Sequence, residues 1–202
     1  FLGNGDILSI YRVTEGIVPT YFRLDYADLE DVSHLIQFPI LNIEELNLDM
    51  IPVSAGQFRM GNLSDTSTGF DDEKPPLMVM HTNPFWIGRT EITQAQYEVV
   101  MDGENPSIHN GHQQLPVNNV TWSEALDFCE RLTERERISG ILPDSYVYSL
   151  PTEAEWEYAC RSGTTTAFSF GELKSSISLY AWTKENSGDP GVPHRVGAKL
   201  PN

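Results

Sequence analysis

Three threonines in this chain are each followed, three residues later, by a glutamine or glutamate: Thr93 by Gln96, Thr121 by Glu124 and Thr152 by Glu155. That spacing is the capping box, in which the hydroxyl accepts from the third helical amide while the longer side chain reaches back to the threonine N–H. It sets where three helices begin, and so which intervening segments are free to become strand or loop. At the first start Ile92 and Tyr97 hold hydrophobic-staple positions, and Gly103 limits the helix to a short one. The second helix carries Trp122, Ala125, Leu126, Cys129 and Leu132 on one apolar stripe and ends at Gly140. Its opposite face, Glu130, Arg131, Glu134, Arg135 and Glu136, reads as solvated. The third helix, opened by Pro151-Thr152, runs past Trp156 and Tyr158 to a stop near Gly163, with Trp156 expected as a core anchor.

Between and before these helices the pattern is that of strands. Asp6–Val13 and Thr20–Tyr26 alternate and are rich in β-branched and aromatic residues. Two strands make no stable domain alone. Residues 1–48 therefore read as the trailing part of a β-rich preceding module, or as an extension packed on the main domain. The acidic stretch Asn42–Asp49 joins them to a second unit over 49–202. Within that unit Ile51–Met60 looks like a hairpin turning at Ala55-Gly56. A polar loop over 62–76 precedes strands at Leu77–Met80 and Phe85–Ile87, and Tyr146–Leu150 reads as a further strand. Thr164–Gly171 reads as loop with short extended pieces. The tail from Trp182 to Asn202, rich in Gly, Pro and Asn, reads as irregular backbone that needs side-chain or metal partners to stay ordered.

Composition narrows the function classes. The 202 residues carry 13 basic and 29 acidic side chains, a formal charge of −16, which repels phosphate backbones and argues against nucleic-acid binding. No apolar run approaches the roughly 18 residues of a spanning helix, so no membrane insertion is expected. Two cysteines, Cys129 and Cys160, are too few for a disulfide framework and are not spaced as a zinc motif. Position 1 is Phe with no basic n-region before an apolar core, and the closing Lys199-Leu-Pro-Asn202 reads as mid-domain text, so both ends are expected to be cut.

The run Leu150-Pro-Thr-Glu-Ala-Glu-Trp-Glu-Tyr-Ala-Cys-Arg-Ser-Gly163 resembles the signature of the formylglycine-generating enzyme, or sulfatase-modifying factor, family. Supporting segments follow in family order: Ile51–Gly61, Trp86–Tyr97, Pro116–Cys129, Asn186-Ser187 and Val196–Asn202. The likeness covers about residues 50–202 and corresponds to the N-terminal two-thirds of the family's domain. It implies an α+β fold related to the C-type lectin architecture, with short helices and irregular loops around small antiparallel sheets. It also implies an oxidoreductase that converts a cysteine of a sulfatase polypeptide to formylglycine, using oxygen and copper(I) held by two cysteines. The soft thiolate pair suits that ion. In the family those cysteines lie beyond the position matching Asn202, so the resemblance places no catalytic and no cofactor-binding residue in this chain, and copper(I) belongs to the full-length enzyme. The alternative is a non-catalytic lectin-like binding module within a multi-domain protein, since fold does not dictate function.

The resemblance offers Asn186, by its side-chain oxygen, and Ser187, by its carbonyl, as a calcium site, against a plain Asn-Ser turn. For Cys129 and Cys160 a buried apolar role is preferred to a disulfide, and a disulfide to a copper pair. Glu153, Glu155 and Glu157, two apart, do not share a helix face and read as structural rather than as an acid–base pair. His109 and His112 have the spacing of two metal ligands without a third nearby, and Asp71-Asp72-Glu73 reads as a solvated charge run rather than a calcium loop.

Overall fold

The computed structural model of the protein describes residues 11–14, 40–63, 73–188 and 192–202. Its strands are β1 (Tyr11–Thr14), β2 (Leu41–Ile43), β3 (Leu48–Val53), β4 (Gly56–Met60), β5 (Leu77–His81), β6 (Phe85–Gly88) and β7 (Tyr146–Ser149). Its helices are α1 (Gln94–Val100), α2 (Trp122–Ile138), α3 (Glu153–Arg161) and the single turn α4 (Ile177–Tyr180). Five strands form one antiparallel sheet in the order β2-β3-β6-β1-β7, and β4 with β5 forms a separate two-stranded sheet. The mixed helix and small-sheet architecture expected from the sequence is the one observed. The large sheet draws on both sides of position 48, because β1 pairs with β6 and β7 while β2 pairs with β3. The strand expected at Thr20–Tyr26 and the run Asp71-Asp72 lie outside the described residues.

All three capping boxes are present with both hydrogen bonds, and Thr93, Thr121 and Thr152 are the residues that precede α1, α2 and α3. The first is buried: Thr93 N–H donates to Gln96 Oε1 at 2.8 Å, and the Gln96 amide continues to the carbonyl of Leu46. Ile92 and Tyr97, the staple pair, are both buried, and the Tyr97 ring stacks on Phe128 of α2 at 5.4 Å. The core lies between the large sheet and the inner faces of α1 and α2, built from Leu48, Met50, Trp86, Ile92, Tyr97, Val117, Phe128 and Leu132 among others.

Three expectations are corrected. Ala55-Gly56 does not turn a hairpin: β3 pairs with β2 and β6, β4 pairs with β5, and the dipeptide carries the chain from one sheet to the other. The buried stripe of α2 is Ala125, Phe128, Cys129, Leu132, Thr133 and Glu136, rotated from the one expected. Trp122 is 60% exposed at the first helical position, while Glu136, placed on the solvated face, is only 3% exposed. The apolar stripe of a helix is wide enough to admit either setting, and the neighbours of α2 select it. Trp156 is not a core anchor, for it is 50% exposed.

Among the described residues the outer edge of β7 is met by α2. Thr133 Oγ1 accepts from Tyr148 N–H at 2.9 Å, and Arg137 Nη2 donates to the carbonyl of Tyr146 at 3.0 Å. Polar side chains thus pair strand groups that would otherwise invite another chain.

Candidate functional site

The signature run begins just after β7 and folds as the capped start of α3, α3 itself and its C-terminal cap, so the geometry around this helix is where function must be sought. Thr152 and Glu155 form the cap: Glu155 Oε2 accepts from the Thr152 N–H at 2.9 Å and from its hydroxyl at 2.6 Å. Glu157 and Arg161, one helical turn apart, reach to the end of β4. Glu157 Oε1 accepts from Gly61 N–H at 2.9 Å, and Arg161 Nη2 donates to the Gly61 carbonyl at 2.8 Å. A second bond, from Arg161 Nε to Glu157 Oε1 at 2.7 Å, locks the two side chains together. Gly61 has φ +100°, and a Cβ there would fall 2.6 Å from the carbonyl oxygen of Glu73, so glycine is required by both backbone and space.

Tyr158 supplies the third attachment. Its ring stacks on His81 of β5 at 4.8 Å and lies 5.2 Å from Phe58 of β4, while Phe85 meets His81 edge-on. A small cavity of about 170 Å³ opens beside this cluster, lined by Met80, His81, Thr82, Asn83, Phe85 and Glu155, among others. Beyond α3 the chain returns to cap it: Asn202 Nδ2 donates to the carbonyls of Ala159 and Cys160 at 3.1 and 2.8 Å. The tail is tied in turn to α4 by Leu200 N–H on the Leu179 carbonyl, and Trp182 is held between stacked His194 and the ammonium of Lys199.

Despite these attachments, no described residue from Ser149 to Asn202 is fully buried. Trp156, Leu173, Leu179, Trp182 and Leu200 are all exposed in this layer. Hydrogen bonds and ring stacking hold it against the body, but it contributes no closed core of its own.

The chemistry-bearing residues are accounted for by structural contacts. Glu155 and Glu157 cap and clamp as described, and Glu153 has no polar partner among the described residues. Both cysteines are free. Burial pushes the Cys129 thiol up to about 12, with Glu130 adding to the effect. Burial also raises Cys160, against the lowering influence of Arg161. Burial disfavours the thiolate form that acts as nucleophile or soft-metal ligand, and Cys129 lies in the core while Cys160 is half-buried on α3, so both serve as small packing residues. His112 Nδ1 accepts from Gln114 N–H at 3.2 Å, which withdraws one ring nitrogen from any shared site with His109. Among the described residues no three His, Cys, Asp or Glu side chains gather as a metal site.

Asn186 and Ser187 close a turn. Asn186 Oδ1 accepts from Thr183 N–H at 2.6 Å, its amide donates to the Ala181 carbonyl at 3.0 Å, and the Ser187 carbonyl accepts from His194 Nε2 at 3.0 Å. Calcium takes about six to eight oxygen ligands. The two oxygens expected there, Asn186 Oδ1 and the Ser187 carbonyl, are each engaged by a protein N–H, and residues 189–191 beside them lie outside the described residues. What sequence reasoning missed is the pull of α3 on Gly61. The i,i+4 spacing of Glu157 and Arg161 was legible, but their target lies 96 and 100 residues away.

With this geometry in view, comparison with known proteins is informative. The profile of the sulfatase-modifying factor enzyme 1-like domain matches residues 42–196. A chaperone protein LppX from Paenibacillus barcinonensis is 28% identical over 166 residues, covering 70% of this chain and 55% of that protein. A formylglycine-generating enzyme from Mycobacterium tuberculosis is 25% identical over 169 residues, covering 61% of this chain and 55% of its own length. The chain thus spans about half the length of the curated relatives it matches. Among solved structures, Treponema denticola variable protein 1 superposes with a TM-score of 0.65 at 26% identity, over 81% of this chain and 70% of that one. PvdO from Pseudomonas aeruginosa superposes with a TM-score of 0.66 at 22% identity, over 81% and 67%. The latter likeness is one of fold alone.

Proposed function

The chain belongs to the sulfatase-modifying factor enzyme 1-like domain family, and from that premise we propose that it is the scaffold portion of a formylglycine-generating oxidase. In this reading the whole protein oxidises a cysteine of a sulfatase polypeptide, and the residues here position the domain without performing the chemistry. One observation carries the division of labour: Glu155, Glu157 and Arg161 of the signature act on the cap or on the Gly61 backbone, and Cys129 is packed in the core with Cys160 half-buried on α3. The relative named as a formylglycine-generating enzyme supports the substrate class. Copper(I), when bound by the whole protein, would supply the oxygen chemistry, and in this reading Cys129 and Cys160 take no part in holding it. The test is to incubate the whole protein with a sulfatase-type cysteine peptide, oxygen and copper, and to look for an aldehyde. Aldehyde formation that survives replacement of both Cys129 and Cys160 by Ser supports the reading. Formation that depends on either thiol, or no aldehyde at all, overturns it.

A second reading is favoured by a different observation. The layer around α3 and α4 presents Trp156, Leu179, Trp182 and Leu200 without a covering core, and a relative is named as a chaperone protein. A domain of this fold that binds another polypeptide and leaves it unmodified would use such a layer. Retention of an intact cysteine peptide by the whole protein, without aldehyde formation, is the outcome that separates it from the oxidase.

A further inference from the structure

Asn110 and Gly111 stand at the exposed tip of the loop between α1 and α2. Among the described residues neither the Asn110 side chain nor the Gly111 N–H has a hydrogen-bond partner, and nothing lies within 4 Å of where a Cβ on Gly111 would sit. The chain on either side is pinned. Before the tip, the carbonyl of His109 accepts from Gln94 Nε2 at 2.7 Å, and Gln94 is itself buried on α1. After it, the carbonyl of His112 accepts from Leu115 N–H at 2.9 Å.

We propose that Asn110 is a site of spontaneous covalent modification, conversion of the asparagine through a cyclic imide to aspartate and isoaspartate. The Gly111 nitrogen gives its proton to solvent and attacks Asn110 Cγ. A bond forms between them as the bond from Cγ to the side-chain nitrogen breaks, and ammonia leaves. Water then opens the five-membered ring at one of its two carbonyls. The sum is asparagine plus water giving a carboxylic acid plus ammonia, with no change of oxidation state. The step needs a backbone nitrogen that is not held in a hydrogen bond and no bulk on the following residue, and the tip of this loop meets both demands. Asn186-Ser187 is the contrasting case in the same chain. There both ends of the Asn186 side chain are held, and Ser187 N–H donates to the Thr183 carbonyl at 2.9 Å.

The product adds a negative charge to the loop. In its isoaspartate form it also lengthens the backbone by one methylene between two pinned points. The strain falls on the bond from Gln94 to His109, and so on the start of α1. The change is a built-in clock that loosens this end of the domain with age.

The test compares three samples held at neutral to mildly alkaline pH: the whole chain, a synthetic peptide of residues 107–115, and the chain carrying Gly111→Ala. Peptide mapping by mass, together with labelling by an isoaspartyl methyltransferase, reads each asparagine separately. We expect Asn110 to gain roughly one mass unit as fast in the folded chain as in the peptide, Gly111→Ala to slow it, and Asn186 to keep its amide. The proposal is overturned if Asn110 stays intact in the folded chain while the peptide converts, for then the loop holds the nitrogen away from Cγ. Equal conversion of Asn186 and Asn110 overturns it as well.

Discussion

The hydroxyl of Tyr158 on α3 fills the space above Gly56 on β4, so that a Cβ added at Gly56 would lie inside van der Waals contact with that oxygen. This contact explains a glycine at the start of a strand where no turn requires one. Gly56→Ala forces Tyr158 off its stack on His81, with an expected loss of about 1–3 kcal/mol, the range for overpacking. Tyr158→Phe removes the clashing oxygen and keeps the ring. The double variant is therefore expected to recover most of the loss, and denaturant unfolding of the four combinations reads the coupling directly. Additive losses would show that the two residues do not act on each other.

Arg161 and Glu157 make a clamp whose removal acts at a distance. Arg161→Ala leaves the Gly61 carbonyl and the Glu157 carboxylate without their charge-assisted partner, with an expected loss of about 2–3 kcal/mol. Lysine cannot present the fork that meets Glu157 and Gly61 together, so Arg161→Lys restores only part of it. Hydrogen exchange is the local readout. The Gly61 amide, which donates to Glu157, is expected to lose protection before the amides of β3 do. Unchanged protection at Gly61 would exclude the clamp.

Glu136 is buried on α2 with Oε2 lacking any hydrogen-bond partner. Burial raises its pKa, the charge of Glu45 adds to the rise, and Arg135 opposes it. A carboxyl whose pKa is higher folded than unfolded favours the fold below the ordinary glutamate range. That contribution is lost as pH rises through the raised value. Glu136→Gln keeps the shape without the charge, so it is expected to stabilise the protein at neutral pH by about 1–2 kcal/mol and to flatten this part of the pH–stability curve. Thermal melts of both proteins between acid and neutral pH check it; identical curves would mean that the carboxylate finds a partner in solution.

Cys129 is expected to be inert. With its thiol pushed up to about 12 by burial, it should react with a thiol reagent only as fast as the protein unfolds. Cys160, half-buried on α3, should react slowly but sooner. Titration of residues 1–202 with copper(I) against a competing chelator should show no tight site shared by the two thiols. Rapid labelling of native Cys129, or a tight equimolar copper complex, would contradict the protonated, structural role.

Legibility from sequence followed the range of the interaction. Each capping box joins residues three apart, and each was found where the sequence placed it, because the participating groups are fixed by local geometry alone. The strands β5, β6 and β7 were likewise readable from alternation and composition. The face of α2 was not. Periodicity allowed a stripe through Trp122 or one through Phe128 and Glu136, and only the surfaces of β7 and of α1 decide between them. The candidate site divides the same way: its signature residues were visible, while Gly61, His81 and Phe58, which they hold, were not.

Thus the amino-acid order alone determined where α1, α2 and α3 begin, the α+β class of the fold and the family, since these rest on contacts between near neighbours and on a fourteen-residue run from Leu150 to Gly163. Tertiary structure decided that β3 and β4 go to different sheets, that Glu136 is buried while Trp122 and Trp156 are not, and that Glu157 and Arg161 serve Gly61. The physical reason is that a buried face or a hydrogen-bond acceptor is defined by whatever packs against it. Here those partners lie in other segments of the chain, for Glu157 and Arg161 as far as 96 and 100 residues away, and no local pattern records their approach.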